Sequence, residues 1–277
     1  MPCRFYFISS EGSAMNMDYI KKIFCLDGKK AIVTGGNSGI GMGIAKSLAS
    51  LGADVTIIGR DQKTIDEVTQ SLVELGTRSK GCQVDLMNKP ELDAFFEQYY
   101  AENDGRLDIL VANAGISIPK RALDTTSEEV DRLFDTNFKG ALFCCQHAAE
   151  AMKKQGNGNI VIVTSVNALY PLPPQAVYTS TKAAQEALMQ CLAVDLAHYG
   201  IRVNTIAPGA IVSNLGRDNP NPRKREGDWK KSPNTPLGRI GDPEDIGDVV
   251  ACMVTDAFRY MTGSTVLVDG GLKLRNI

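Results

Sequence analysis

From Lys30 onward the chain alternates between two hydrophobic patterns. One consists of short, continuous, β-branched runs: Lys30–Thr34, Asp54–Ile58, Lys80–Val84, Leu107–Ala112, Asn159–Thr164, Ile201–Ala207 and Thr265–Val268. Runs this short, bounded by turn residues, predict strands. The other pattern repeats every three or four residues, as Ile40, Ile44, Leu48 and Leu51 do in Ile40–Leu51, and predicts helices. Further helices are expected over Thr64–Leu75 with Gly76 as C-cap, Pro90–Asn103, Val177–Tyr199 stopping at Gly200, and Pro243–Met253. Ser127–Gln155 reads as one long helical tract interrupted near Gly140. Regular strand–helix alternation implies an α/β fold: one doubly wound sheet of mostly seven parallel strands, flanked by helices on both faces with right-handed crossovers.

Two segments lie outside this rhythm. Residues 1–22 precede it and are expected to be an N-terminal extension, disordered or not native to the fold; Met1, Met15 and Met17 could each be a start. The short apolar patch Phe5–Ile8 is below signal-peptide length, and no cleavage pattern follows it. Residues 23–277 are then expected to form a single domain. Within it, residues 214–235 make a long irregular loop with six basic residues, three acidic ones, three prolines and Trp229. Loops of this length in compact domains are usually functional or disordered, and this one is expected to serve the substrate.

Composition narrows the function classes. The chain has 277 residues, is 43% hydrophobic and 22% charged, and carries a net charge of -2, so no general attraction to nucleic acid or anionic membrane is expected. No apolar run approaches the roughly 20 residues needed to span a bilayer. The seven cysteines form no C-x-x-C pair, and with two histidines no metal-ligand spacing emerges. Free thiols point to a reducing, cytoplasmic setting.

The first strand runs into Thr34-Gly35-Gly36-Asn37-Ser38-Gly39-Ile40-Gly41. Glycines placed here permit a tight turn, let backbone approach a pyrophosphate, and let the next helix pack closely on the sheet. The helix N-terminus would aim its free N–H groups at that pyrophosphate, so the domain is of Rossmann type. The second strand ends in Ile58-Gly59-Arg60-Asp61. An acidic residue in this slot binds the ribose hydroxyl of NAD, and an arginine pairs with the 2′-phosphate of NADP. Gly59 removes the carboxylate and Arg60 supplies the donor fork, which predicts NADP(H) over NAD(H); the competing reading leaves Arg60 in solvent and Asp61 on the ribose.

Tyr178 and Lys182 are four residues apart in an expected helix and so share a face. A free phenol, with a pKa of about 10, is a poor base near neutrality. A neighbouring ammonium favours the phenolate and makes it a usable proton donor or acceptor. Ser165 closes the strand Asn159–Thr164, the edge where parallel sheets place ligands, and can donate to a substrate carbonyl.

With these residues the chain resembles the short-chain dehydrogenases/reductases, in the compact branch that includes 3-oxoacyl-carrier-protein reductases, gluconate 5-dehydrogenases and related polyol and steroid dehydrogenases. The likeness runs from about Leu26 to Leu272 and includes Ala112-Asn113-Ala114-Gly115, Asn137-Phe138-Lys139-Gly140, Pro208-Gly209 and Val268-Asp269-Gly270-Gly271. It implies that Tyr178 is the general acid/base and that Lys182 holds the nicotinamide ribose and lowers the tyrosine pKa. Asn137 would hold a water linking Lys182 to solvent. Asp85 and Leu86 would meet the adenine, Asn113, Ala114 and Gly115 would line the cofactor, and Pro208, Gly209, Ile211 and Ser213 would face the carboxamide or phosphate. Ala112 replaces an asparagine frequent in the family, Ser213 a threonine, and Ser38 the basic residue that some NADP users carry.

The expected activity is NADP(H)-dependent interconversion of a small-molecule ketone and a secondary alcohol. The substrate class stays open among sugar acids or polyols, 3-oxoacyl compounds and steroids. The loop's Arg217, Arg223, Lys224, Arg225, Lys230 and Lys231 could attract an acidic group, and the segment Ala168–Gln175 also faces this choice. A dinucleotide-binding regulator or scaffold on the same fold is the alternative. The resemblance also implies a homo-oligomer, a tetramer or dimer, assembled through the two long helices.

Overall fold

The computed structural model describes residues 16–213 and 231–275. Along the chain these form α1 (Met17–Phe24), β1 (Lys30–Thr34), α2 (Gly39–Ser50), β2 (Asp54–Gly59), α3 (Gln62–Val73), β3 (Lys80–Gln83), α4 (Lys89–Glu102) and β4 (Ile109–Ala112). There follow α5 (Ser127–Leu133), a π-helical turn (Phe134–Lys139), α6 (Gly140–Gln155), β5 (Gly158–Val163), α7 (Val166–Leu169), α8 (Ala176–Ala197), β6 (Ile201–Pro208), α9 (Pro243–Met253) and β7 (Thr265–Val268).

The seven strands make one sheet in the order β3-β2-β1-β4-β5-β6-β7, and every pairing is parallel. The continuous apolar runs have their cause here. Central strands of a parallel sheet are covered on both faces, so both sets of alternating side chains must be apolar. One face packs against α2, α3 and α9, with Ile44, Leu48, Ile65, Ile246 and Val250 fully buried. The other packs against α4, α6 and α8 through Phe96, Cys144, Ala148 and Met189. Among the described residues no helix is long and apolar enough to cross a membrane.

Two elements depart from the expectations drawn from the sequence. Residues 17–22, assigned to the extension, belong to α1, which Asn16 caps by accepting from the Tyr19 amide at 3.0 Å. Eight residues are too few for a clear period, and no residue of α1 is buried. Residues 1–15 lie outside the described residues. The break expected near Gly140 is the π-helical turn just before it, followed at once by α6. Single π turns inside helices recur at functional sites, and this one carries Asn137, which has no solvent exposure.

Helices α2 and α9 cross closely because both present glycine. A Cβ on Gly43 would lie 2.5 Å from the Pro243 carbonyl, and one on Gly247 would lie 2.5 Å from the Gly43 carbonyl oxygen. Beside the crossing, Ser47 Oγ donates to Asp248 Oδ1 at 2.7 Å. Backbone occupies the space a side chain needs, so it cannot be cleared by a rotamer change. Gly43→Val is expected to lower the unfolding free energy by about 1–3 kcal/mol, the usual cost of overpacking. Urea denaturation checks this; an unchanged midpoint would mean the helices separate freely.

Candidate active site

The strand order reverses between β1 and β4, and the crevice opens at their carboxyl ends. Thr34, the last residue of β1, joins the two strands: its Oγ1 accepts from the amides of Asn113 at 3.0 Å and Ala114 at 2.9 Å. Asn113 returns the tie by donating from Nδ2 to the Thr34 carbonyl at 2.9 Å. The glycine turn lies directly above. Gly35 has φ +64, and a Cβ on Gly41 would stand 2.2 Å from the Gly35 carbonyl oxygen. The turn is therefore folded back on the first turn of α2. Ser38 occupies the N-cap position without a side-chain cap bond.

Next to this turn, β2 ends at Gly59. A Cβ there would meet Asn37 Oδ1 at 2.4 Å, and Asn37 Nδ2 in turn donates to Thr64 Oγ1 at 2.7 Å. The Asp61 side chain caps α3 by accepting from the Thr64 amide at 3.1 Å. Together these segments border a cleft of about 400 Å³. Its walls include Gly35, Asn37, Ser38, Gly39, Ile40, Gly41, Arg60, Asp85, Leu86, Asn113, Ala114, Gly115, Tyr178, Lys182 and Ser213. Ile116, Ser117 and Thr136 also line it and were not anticipated from the sequence. Ser117 Oγ is buried and has no hydrogen-bond partner among the described residues.

Tyr178 and Lys182 line one edge of the cleft, with Ser165 behind them. Just beyond β5, Ser165 caps the short helix α7, its Oγ accepting from the Asn167 amide at 3.1 Å. The cap fixes the hydroxyl beside the buried Tyr178 phenol. Burial pushes that phenol up, and the Ser165 hydroxyl works against the rise. One turn further along α8, Lys182 Nζ lies 5.9 Å from the centre of the Tyr178 ring. It donates to the Val163 carbonyl and to Gln185 Oε1, both at 2.9 Å. Burial brings the Lys182 ammonium down to about 8, partly opposed by the carboxylate of Glu186. That carboxylate is itself buried and accepts from the hydroxyls of Thr164, Thr205 and Thr265 on or beside β5, β6 and β7.

Asn137 stands behind the lysine. Its Oδ1 accepts from the Ile116 amide at 2.8 Å, and its Nδ2 donates to the Ile116 carbonyl and to Thr181 Oγ1, both at 3.0 Å. Its main-chain carbonyl accepts from Gln185 Nε2 at 2.7 Å. Pro208 ends β6 and Gly209 and Ile211 come after it, but none of the three is among the residues that wall the cleft; Ile211 instead bridges to Gly241. Residues 214–230 of the expected substrate loop, with Arg217, Arg223, Lys224, Arg225, Trp229 and Lys230, lie outside the described residues. Gln185 and Glu186 were missed because a polar residue after Lys182 reads in sequence as a solvated helix position. Among the described residues no cluster of His, Cys, Asp and Glu could hold a metal ion.

Residues 35–273 match a family model described as "Enoyl-(Acyl carrier protein) reductase". The chain is 37% identical over 250 residues to an L-rhamnose 1-dehydrogenase (NAD(P)(+)) of Sphingomonas sp. (strain SKA58), covering 89% of this chain and 97% of that one. It is 35% identical over 254 residues to a sorbose reductase of Schizosaccharomyces pombe, covering 90% and 97%. A solved 7α-hydroxysteroid dehydrogenase, complexed with NADH and 7-oxo glycochenodeoxycholic acid, superposes with a TM-score of 0.81 at 31% identity, covering 90% and 96%. The chain belongs to the short-chain dehydrogenase/reductase family. It is an oxidoreductase acting on alcohol and carbonyl groups, of a family that uses a nicotinamide dinucleotide.

The folded-back glycine turn yields a direct test. Gly41→Val would thrust a side chain against the Gly35 carbonyl and Asn113 Nδ2 and displace the turn. Dinucleotide affinity, measured by fluorescence titration, is expected to fall at least about tenfold, since helix N–H groups act only on a closely approaching phosphate. Unchanged affinity would show that the turn takes no part in binding.

Proposed function

We propose that this protein is an NADP(H)-dependent oxidoreductase that interconverts a ketone and a secondary alcohol, with Tyr178 as the general acid/base. The observation that carries this reading is the arrangement at the dinucleotide-sized cleft: Tyr178 and Lys182 line it, Lys182 Nζ lies 5.9 Å from the centre of the tyrosine ring, and the Ser165 hydroxyl acts on the phenol. A scaffold or regulator has no use for a buried phenol placed with a capping serine and a buried lysine.

The cleft suits a dinucleotide. The α2 N-terminus and the glycine turn provide backbone N–H groups for a pyrophosphate, and Ser117 offers a buried hydroxyl without a partner among the described residues. Arg60 and Asp61 both line the cleft, and Asp61 also caps α3 through Oδ1. The Arg60 guanidinium beside Gly59 supports the 2′-phosphate of NADP over the bare ribose hydroxyl of NAD. When bound, the reduced cofactor supplies the hydride. Lys182 would hold the ribose, Ser165 would orient the carbonyl oxygen, and Tyr178 would deliver the proton as the alkoxide develops. In oxidation the same phenol oxygen receives the proton.

Relatives named for rhamnose, sorbose and a bile-acid steroid support a ketone or secondary alcohol on a polyhydroxylated or polycyclic framework. Leu169 and Tyr170, exposed in the segment that follows Ser165, are candidates to contact it. The free thiols among the described residues support a reducing, cytoplasmic setting. Val194, 78% exposed on the long helix α8, supports assembly as a homo-oligomer.

Tyr178→Phe keeps the ring and removes the proton. It is expected to lower kcat about 10³-fold while NADPH binding persists, measured by NADPH oxidation against a panel of sugar, 3-oxoacyl and steroid ketones. Full activity in that variant would rule out the phenol as acid. Arg60→Ala is expected to reduce the NADPH-over-NADH preference in kcat/KM by about 10–100-fold, the value of a charge-assisted contact. An equal loss with both cofactors would show that Arg60 does not read the 2′ position.

A further inference from the structure

Gln185 has no solvent exposure and lies three residues after Lys182 on α8. Its side chain reaches two partners in opposite directions. Nε2 donates to the main-chain carbonyl of Asn137 at 2.7 Å, and Oε1 accepts from Lys182 Nζ at 2.9 Å. Chemistry fixes the orientation of this amide. Turned over, it would set an NH₂ against an ammonium and an oxygen against a carbonyl, so neither contact would be a hydrogen bond. A buried amide without partners is costly, and here both ends are matched to groups of the site.

We propose that Gln185 is a positioning residue, a bridge built from protein between the Lys182 ammonium and the Asn137 carbonyl. It stands where the family resemblance implies that a water would sit. The proposal rests on the reading of Tyr178 and Lys182 given above. A mobile water adapts to either charge state of the lysine, whereas a carboxamide anchored at its other end offers one fixed acceptor. Gln185 therefore sets both the place of Nζ and its hold on a proton. The groups around that nitrogen are few. The Val163 carbonyl accepts from it on the β5 side, and the neutral Tyr178 phenol stands one turn back on α8. Backbone of Gly115 approaches from beyond β4: a Cβ there would be 3.5 Å from Nζ. Among the described residues Glu186 is the one charged group acting on it. With so few partners, losing one acceptor must register in the proton affinity of the lysine.

Two variants read this in opposite senses. Gln185→Leu removes the acceptor and should release the Lys182 proton at a pH about one unit lower. Gln185→Glu replaces a neutral acceptor by a charged one and should move release upward by a similar amount. The first readout needs no turnover: a ¹³C NMR titration of the Lys182 Cε in the labelled protein, with Lys182→Ala identifying the signal. The second is the alkaline limb of the pH profile for ketone reduction, which should move in the same direction, with kcat about tenfold lower in Gln185→Leu.

Opposite shifts in the two variants support the bridge. Midpoints that stay put, or that move the same way in both, overturn it, because general loosening of the core has no reason to track the charge of residue 185. Should Gln185→Leu fail to fold, Gln185→Met removes the same acceptor with a more adaptable side chain. An active Tyr178→Phe would sink the proposed function while leaving the NMR titration to decide this bridge. An inactive Tyr178→Phe with unmoved midpoints would sink the bridge alone.

Discussion

Strands β1 and β4 must be held together at their base and allowed to part at their carboxyl ends, because the crossovers leave them in opposite directions. Thr34 and Asn113 manage that junction. One hydroxyl takes two amides from the opposite strand's exit, and one carboxamide answers to the carbonyl of the first strand. Everything that follows uses this spacing. The glycine turn rises from Thr34, the loop Gly115–Ser117 rises from Asn113, and the cleft lies between them. A different register at this pair would move the glycine turn relative to Tyr178 and Lys182 across the cleft.

The second constraint is electrostatic. Lys182 is buried, which disfavours its charge, and the protein answers with a carbonyl, a carboxamide oxygen and the carboxylate of Glu186. Glu186 would itself be costly to bury as an anion, and three threonine hydroxyls from neighbouring strand ends support it. The arrangement runs from β7 through β6 and β5 to α8, so the sheet's far edge is tied to the reacting end of the helix by hydrogen bonds as well as by packing.

Much of this was legible in the sequence, for definable reasons. The strands β1, β7 and the helix α9 coincide with their hydrophobic runs, because continuous apolar segments and a proline at a helix start leave few alternatives. Tyr178, Lys182 and Ser165 were readable because each sits at a spacing and strand end that chemistry requires. Helix α1 was not, since it is only eight residues long and none of them is buried. The π turn was visible only as an irregularity near Gly140, because its extra residue per turn leaves no signature in composition. Gln185 and Glu186 look like ordinary surface positions until tertiary packing turns them inward. The pull of Lys182 on the phenol, expected from spacing, is not found: burial holds the phenol above its usual value with only Ser165 opposing, because Nζ is turned toward the Val163 carbonyl and Gln185.

Helix α8 carries Tyr178, Lys182, Gln185 and Glu186 within three turns of one stiff rod. Their spacing is a property of that rod. The segment after Ser165 is a separate piece of chain, so a change in its length or character leaves the order along the helix intact.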